Sequence, residues 1–234
     1  MGRPLAKLGG GNVARMAAFG LVLLALGSLA TAEGLEYGGT GGMWGLFKPD
    51  LAGLNGSLTG AGFPALSGEL SLRGGYGLGG ESPGFGVGGL GFGAREIGAD
   101  GERGVELEVG FGALLVEYTV PLGERALAGA GLALGGGTAK LILHFRAVGD
   151  FDDALSSPSE ACLESNFFGV FPYLRGVLSF DWFTLEGWAG WFFSFPGEWR
   201  ASGVDLGRKA RLAGPVFSLG ASLGTIWPAE GDGY

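Results

Sequence analysis

The sequence predicts an all-β protein, an antiparallel up-and-down β-barrel of about eight strands with one short helix near the N-terminus. Apolar and polar side chains alternate along several stretches, which is the two-residue period of a strand. Glycine supplies 52 of the 234 residues, and each internal glycine would cost a helix about 1 kcal/mol. Of the 28 aromatic residues, 13 lie between positions 167 and 199. Aromatic residues suit the half-buried surface of a sheet, so this stretch predicts two strands.

Residues 1–32 are predicted to be a signal peptide. Arg3, Lys7 and Arg15 form a positive region, an apolar run follows, and Ala30-Thr31-Ala32 has the small residues that signal peptidase needs. The apolar run, 16–30, is shorter than the roughly 20 residues that span a bilayer as a helix. We expect cleavage after this motif, with an uncleaved helical anchor as the alternative.

The composition after residue 32 excludes two classes of partner and site. This part has 12 Lys and Arg against 23 Asp and Glu, and an acidic surface repels the phosphates of nucleic acid. Cys162 is the one cysteine, so neither an internal disulfide nor a cysteine-based metal site can form. It could still cross-link two chains, which leaves a homo-oligomer possible. We predict no cofactor and no metal.

Residues 33–64 are predicted to be a Gly-rich appendage with a short helix. Asp50 can cap this helix, and Leu51, Leu54 and Leu58 share one of its faces. The barrel domain is predicted over 65–228, followed by a tail at 229–234.

We predict eight strands within the barrel domain: 66–78, 85–95, 105–120, 125–136, 138–148, two within 167–199 that meet at the Phe180-Asp181-Trp182 reversal, and 216–227. An even number returns the chain to the side where it began, as a bacterial membrane barrel requires. Counting 37–47 would give nine strands, so this stretch is predicted to stand outside the wall. The alternation is lost at 113–116, which predicts a bulge.

The residues on the polar faces of two predicted strands are unusually small. An eight-stranded barrel is just wide enough for side chains to fill its interior, and protein interiors contain few voids. We therefore expect the segment 34–64 to pack against or into the barrel end nearest Leu66, with a bound lipid tail or small apolar ligand as the alternative. The small positions are Gly129, Gly131, Ala133, Ser218, Gly220, Ser222 and Gly224.

Two groups of residues are candidates for a functional role, and no catalytic residue is predicted. The charged and polar residues of two strands are predicted to form a charge network in the barrel interior; they are Glu106, Glu108, Lys140, His144 and Arg146. The one histidine lies among cations that disfavour its protonation and repel metal ions. Four tryptophans are predicted to lie at the membrane interfaces; they are Trp188, Trp191, Trp199 and Trp227.

Two strand-turn-strand stretches resemble those of small bacterial outer-membrane β-barrel proteins: LSFDWFTLEGWAG at 178–190 and VEYTVPLGERALAGAG at 116–131. The Gly-rich part from Tyr37 to Arg95 resembles uncharacterised exported Gly-rich proteins, which implies no activity. The resemblance implies a non-enzymatic outer-membrane protein that contacts membrane lipid and has a structural, lipid-binding or small-molecule-binding role. The alternative is a soluble β-sandwich, periplasmic or extracellular, that acts in assembly at the cell surface.

Overall fold

The structure is a computed structural model that describes residues 34–101, 103–145, 160–209 and 211–228. The predicted signal peptide, the tail at 229–234 and Arg146 lie outside these ranges. The described residues contain ten strands and one helix.

Eight antiparallel strands form a closed wall in which each strand pairs with two neighbours, because β5 pairs with β6 and β1 pairs with β10. The prediction of an eight-stranded up-and-down barrel with one helix is confirmed. The wall strands are β1 (Leu35–Phe47), β2 (Leu70–Ser82), β3 (Gly84–Asp100), β4 (Arg103–Gly123), β5 (Ala126–His144), β6 (Glu160–Phe180), β7 (Phe183–Pro196) and β10 (Ala213–Pro228).

The remaining elements lie at one end of the wall. Helix α1 (Ala52–Gly60) connects β1 to β2, and a small hairpin of β8 (Glu198–Ala201) and β9 (Val204–Lys209) pairs with β6. We call this the loop end. At the opposite end, the turn end, short turns join β2 to β3, β4 to β5 and β6 to β7, and both termini of the wall lie there. The predicted Phe180-Asp181-Trp182 reversal is confirmed, with Asp181 at a φ of 55°.

The identity of two wall strands differs from the prediction. The stretch 37–47 belongs to β1 and pairs with β2 and β10, so placing it outside the wall was wrong. The predicted strands 125–136 and 138–148 are one strand, β5. The glycines at 135–137 form no turn. Gly137 faces inward, where a side chain would collide with the Phe167 ring.

The predicted bulge at 113–116 is also absent. Leu115 points inward and is 1% exposed, whereas Leu114 and Val116 point outward and are 75% and 50% exposed. The strand therefore alternates normally, and its register shifts later, between Pro121 and Gly123. The sequence pattern fails here because both faces of the strand are apolar.

Helix α1 and the residues after it cover the loop end of the barrel. Leu51, Leu58, Phe63 and Leu66 are buried in the hydrophobic core beneath this cover. Asn55 holds the segment together, because its amide donates to the Leu66 carbonyl at 2.8 Å and accepts from the Leu66 N–H at 2.9 Å. This part of the 34–64 segment thus packs against the predicted end.

At the middle of the barrel, the small inward residues are matched by rings from nearby strands of the wall. A Cβ on Gly131 would lie 2.6 Å from Cζ of Tyr173, and one on Gly220 would lie 3.2 Å from Cε1 of Tyr76. The space that the small residues leave is therefore filled by aromatic side chains of the wall itself.

We predict that Gly131→Ala lowers the free energy of unfolding by about 1–3 kcal/mol, because the added methyl overpacks the interior. The matched control is Gly112→Ala, on the outer face, where a Cβ meets nothing within 4 Å. Urea unfolding followed by tryptophan fluorescence measures both variants. Equal midpoints for the two would contradict this account of interior packing.

Candidate functional site

Three charged residues form a buried cluster inside the turn half of the barrel, which we call the core cluster: Glu117, Arg175 and Glu186. Arg175 lies between the two carboxylates. Its Nη1 is 2.5 Å from Oε1 of Glu117, and its Nε is 2.7 Å from Oε2 of Glu186. All three side chains are almost completely buried. Buried charges are tolerated only when paired and hydrogen-bonded, so this geometry is what allows them to lie here.

Hydroxyl groups supply the remaining hydrogen bonds of the two carboxylates. Tyr37 donates to Glu117 at 3.0 Å and Tyr173 donates to it at 3.3 Å. Thr184 and Ser222 each donate to Oε1 of Glu186 at 3.0 Å. These donors stabilise a cluster in which two carboxylates face one guanidinium.

An aromatic ring also contacts the arginine, since Arg175 Cζ lies 5.2 Å from the centroid of the Trp188 ring. Rings and ion pairs together fill the interior at this level. No group of three possible metal ligands occurs among the residues that the structure describes. The arrangement is suited to holding opposite sides of the wall together.

Sequence reasoning missed the core cluster. A signal was present, because each of the three charged residues stands alone in an apolar stretch of its strand. Arg175 and Glu117 are 58 positions apart, so the pattern of neither strand indicates its partner.

Over six adjacent wall strands, the outer surface of the turn half is a band of exposed apolar side chains, which we call the outer belt. Its large aliphatic and aromatic members are between 37% and 75% exposed. They come from six of the wall strands: Val87, Leu114, Val116, Leu132, Leu134, Leu174, Leu178, Leu185, Phe217, Leu219 and Leu223.

Aromatic side chains border the outer belt on both sides. The border nearer the turn end contains Phe85, Tyr118, Phe180, Trp182, Phe183 and Trp227. The border nearer the loop end contains Trp44, Phe168, Trp191, Phe193 and Phe195. Neighbouring rings contact each other, as Phe85 and Tyr118 do at 5.2 Å between centroids. Two such girdles around an apolar band are characteristic of transmembrane β-barrels.

The four predicted interface tryptophans divide equally between two environments. Trp191 and Trp227 lie on outward rows of the wall, and the Trp227 indole donates to Glu36 at 2.8 Å. The prediction is wrong for Trp188, which is inside the barrel and 3% exposed, and for Trp199, which is 6% exposed on β8. Trp188 is three residues from Trp191, an odd spacing that places the two on opposite faces of β7.

The predicted interior charge network lies on the outer surface instead. Glu106, Glu108, Lys140 and His144 all occupy outward rows, so the prediction of an interior site is wrong for these four. They belong to ion pairs on the outside of the loop half, which we call the outer charge ladder: Arg95 with Glu106 (2.5 Å) and Glu108 (3.6 Å), Lys140 with Glu164 (3.1 Å), and His144 with Glu160 (3.0 Å).

The outer charge ladder lies on a solvated surface, and within it the Glu106 carboxylate is the one shielded from water. The hydrogen bond from Arg95 lowers the pKa of Glu106. The pKa of Lys140 is raised, chiefly by its hydrogen bond to Glu164. Both shifts favour the charged forms at neutral pH, so Glu106 and Lys140 stay ionised there.

The two halves of the barrel therefore have opposite polarity. In the loop half the inward rows are apolar and the outward rows charged, as in a water-soluble protein. In the turn half the inward rows contain the core cluster and the outward rows form the outer belt. This inversion along one wall is the main feature of the candidate site.

Comparisons with known proteins find similarity at the level of the fold. No family profile matches the chain, and no curated protein matches it. Among solved structures, Ail, the attachment invasion locus protein of Yersinia pestis, is 12% identical, with a TM-score of 0.40 over 82% of this chain and 99% of Ail. The translocator domain of the autotransporter NalP from Neisseria meningitidis is 10% identical, with a TM-score of 0.33 over 94% of this chain and 97% of that domain. Similarity this low carries no argument about function.

Across the described ranges, no helix has the length and apolar character needed to cross a membrane.

We predict that Arg175→Met destabilises the barrel by about 3–5 kcal/mol, because it leaves two buried carboxylates without their cation. Adding Glu117→Gln and Glu186→Gln to that variant removes the unpaired charges and should recover part of the loss. Urea unfolding midpoints of the single and triple variants test this. A single variant as stable as the parent would show that the ion pairs contribute nothing.

For the outer charge ladder we predict a smaller effect on stability, and Lys140 tests it. Its pair with Glu164 is about half exposed on both sides, and exposed pairs contribute about 0.2–1 kcal/mol. Lys140→Glu should therefore leave the urea unfolding midpoint close to that of the parent in the same assay. A markedly lower midpoint would indicate that this face is shielded from water.

Proposed function

We propose that the protein is a non-enzymatic bacterial outer-membrane β-barrel whose turn half lies in the bilayer and whose loop half extends outside it, with a structural or lipid-binding role. The observation that carries the proposal is the outer belt with its two aromatic borders. A wall that exposes large apolar side chains on most of its strands is stable only in an apolar solvent.

Strand lengths support this placement. A tilted strand crosses a bilayer in about 9–11 residues. The strands β3 to β6 have 17, 21, 19 and 21 residues, so each has residues left over after crossing. In all four strands the excess lies toward the loop end, where the outer charge ladder replaces the outer belt.

The positions of the termini and turns support an orientation. Outer-membrane barrels have short periplasmic turns and longer external loops. Here three short turns and both ends of the described wall are at the turn end, whereas helix α1, the β8–β9 hairpin and the short β3–β4 connection are at the loop end. The turn end is therefore assigned to the periplasmic side.

The interior supports a role other than transport or catalysis. Rings fill the middle of the barrel, the core cluster ties strands together below them, and α1 covers the loop end. A solute would have to displace paired buried charges to pass. Lipid is the partner that the outer surface fits.

The decisive variant is Leu219→Arg, on the outer belt. Leu219 is highly exposed, so in a water-soluble protein an arginine here should cost no more than about 0.5 kcal/mol. On the lipid face near the bilayer midplane it should cost about 2–4 kcal/mol.

The matched control is Ile97→Arg, which replaces an exposed outward residue on β3, in the charged loop half, where little change is expected. Urea unfolding of protein folded into phosphatidylcholine vesicles measures both, and a heated-versus-unheated gel of the membrane fraction reports insertion. Recovery of the parent as a soluble monomer, with no heat-dependent mobility shift, would exclude the proposed location.

A further inference from the structure

A cavity of about 680 Å³ lies at the loop end, between helix α1 and the β8–β9 hairpin. Its volume is in the range of about 300–1,000 Å³ that is typical of small-molecule sites. It is separate from the core cluster, which lies in the turn half and has no residue among its lining. We call this cavity the mouth pocket.

The walls of the mouth pocket are mostly apolar. Leu143 and Leu163 contribute from inward rows of β5 and β6, Leu54 from the helix and Leu206 from the hairpin. Trp199 closes one side and is itself buried. A polar solute would lose its hydration against these walls without gaining hydrogen bonds, so the walls favour an apolar group.

Three cations stand at one side of this apolar space: Arg208, Lys209 and Arg211. Within the ranges that the structure describes, none of them has an ion-pair partner. Nearby cations differ in this respect, since Arg200 pairs with Asp205 at 2.6 Å and Lys48 pairs with Glu69.

One carboxylate, that of Asp50, also lines the pocket. It accepts a hydrogen bond from the Ala52 N–H at 3.0 Å at the start of the helix. The lining therefore has three cations against one anion, and the net charge favours an anionic ligand.

We propose that the mouth pocket binds an anionic amphiphile, with its acyl chain between the helix and the hairpin and its carboxylate or phosphate at the three cations. The apolar walls favour the acyl chain, and the unpaired cations favour the acid group. Trp191 and Phe193, which belong to the aromatic border nearer the loop end, also line the pocket. Given the proposed membrane location, the ligand can therefore enter from the outer leaflet as well as from water.

The binding test uses the full mature chain in phosphatidylcholine nanodiscs, with empty nanodiscs subtracted. The probe is 11-(dansylamino)undecanoic acid, and its methyl ester serves as the uncharged analogue. Energy transfer from tryptophan to the dansyl group reports binding. The acid should bind with a dissociation constant about tenfold lower than that of the ester, because only the acid pairs with the cations.

Charge variants separate the cationic side from general surface charge. Arg208→Gln combined with Lys209→Gln should raise the dissociation constant of the acid about tenfold and leave that of the ester unchanged. Arg73→Gln, which removes an exposed cation from the outer face of β2, should change neither. Equal binding of acid and ester by the parent, or the same loss in the Arg73 variant, would overturn the assignment of the acid group.

Substitutions that fill the mouth pocket test its apolar part and should leave the fold intact. Gly53 lines the pocket and Gly56 on the same helix does not, and an added Cβ at either meets nothing within 4 Å. Both substitutions by tryptophan replace a poor helix former. Gly53→Trp should abolish binding of acid and ester alike, whereas Gly56→Trp should preserve it. Binding that survives in the Gly53 variant would overturn the pocket as the site.

The heat-dependent mobility shift is recorded for every variant, so that the two proposals can fail separately. An inserted, heat-modifiable protein that does not bind the acid would overturn the mouth pocket and leave the membrane location intact. Mass spectrometry of protein purified from membranes without added lipid then distinguishes the source. A co-purified phosphate-bearing lipid indicates the leaflet, and binding of added fatty acid alone indicates a ligand from solution.

Discussion

The structure depends on one geometric constraint: a strand has two rows of side chains, and a closed wall commits one row to the interior along its whole length. Strand β4 shows the result within a single element. Near the loop end its outward row contains Glu106 and Glu108, and its inward row contains Val105 and Leu107. Further along, Leu114 and Val116 point outward, and Glu117 and Thr119 point inward. The polarity of both rows therefore reverses along a single strand.

The core cluster follows from the same constraint. Once the outward row of the turn half is apolar, the polar residues of these strands lie inside, where water does not compensate their charges. The two carboxylates and Arg175 satisfy one another, and hydroxyls from four strands complete their hydrogen bonds. Because the partners come from β1, β4, β6, β7 and β10, the cluster connects distant parts of the ring. Removing one partner would expose the others to an environment that does not solvate charge.

The glycines have a packing role that composition alone conceals. Inside the barrel, Gly131 and Gly137 lie directly against Tyr173 and Phe167, so that small residues on one strand accommodate rings from another. Protein interiors are close-packed, and a barrel of eight strands offers little room for adjustment. The high glycine content is therefore consistent with a filled interior rather than with disorder.

The sequence by itself determined the strand period, the helix around Leu54 and Leu58, and the reversal at Asp181. These features depend on local conformational preferences, which act whatever the tertiary arrangement of the chain. It also grouped the small residues of β5 and β10 on one face of each strand, because alternation assigns residues to one of two faces.

Only the tertiary structure decided which face was inside. A two-residue period looks the same whichever row points inward, so Glu106 and Lys140 were assigned to the interior and Trp188 to the surface, and each lies on the opposite side. The pair of strands that closes the ring was also beyond the sequence. The β1–β10 pairing joins residues near the two ends of the described chain, and no local pattern in the Gly-rich stretch 37–47 distinguishes a wall strand from an appendage. The core cluster was undetectable for the same reason, since its ion pairs exist only after distant strands have been brought together around the ring.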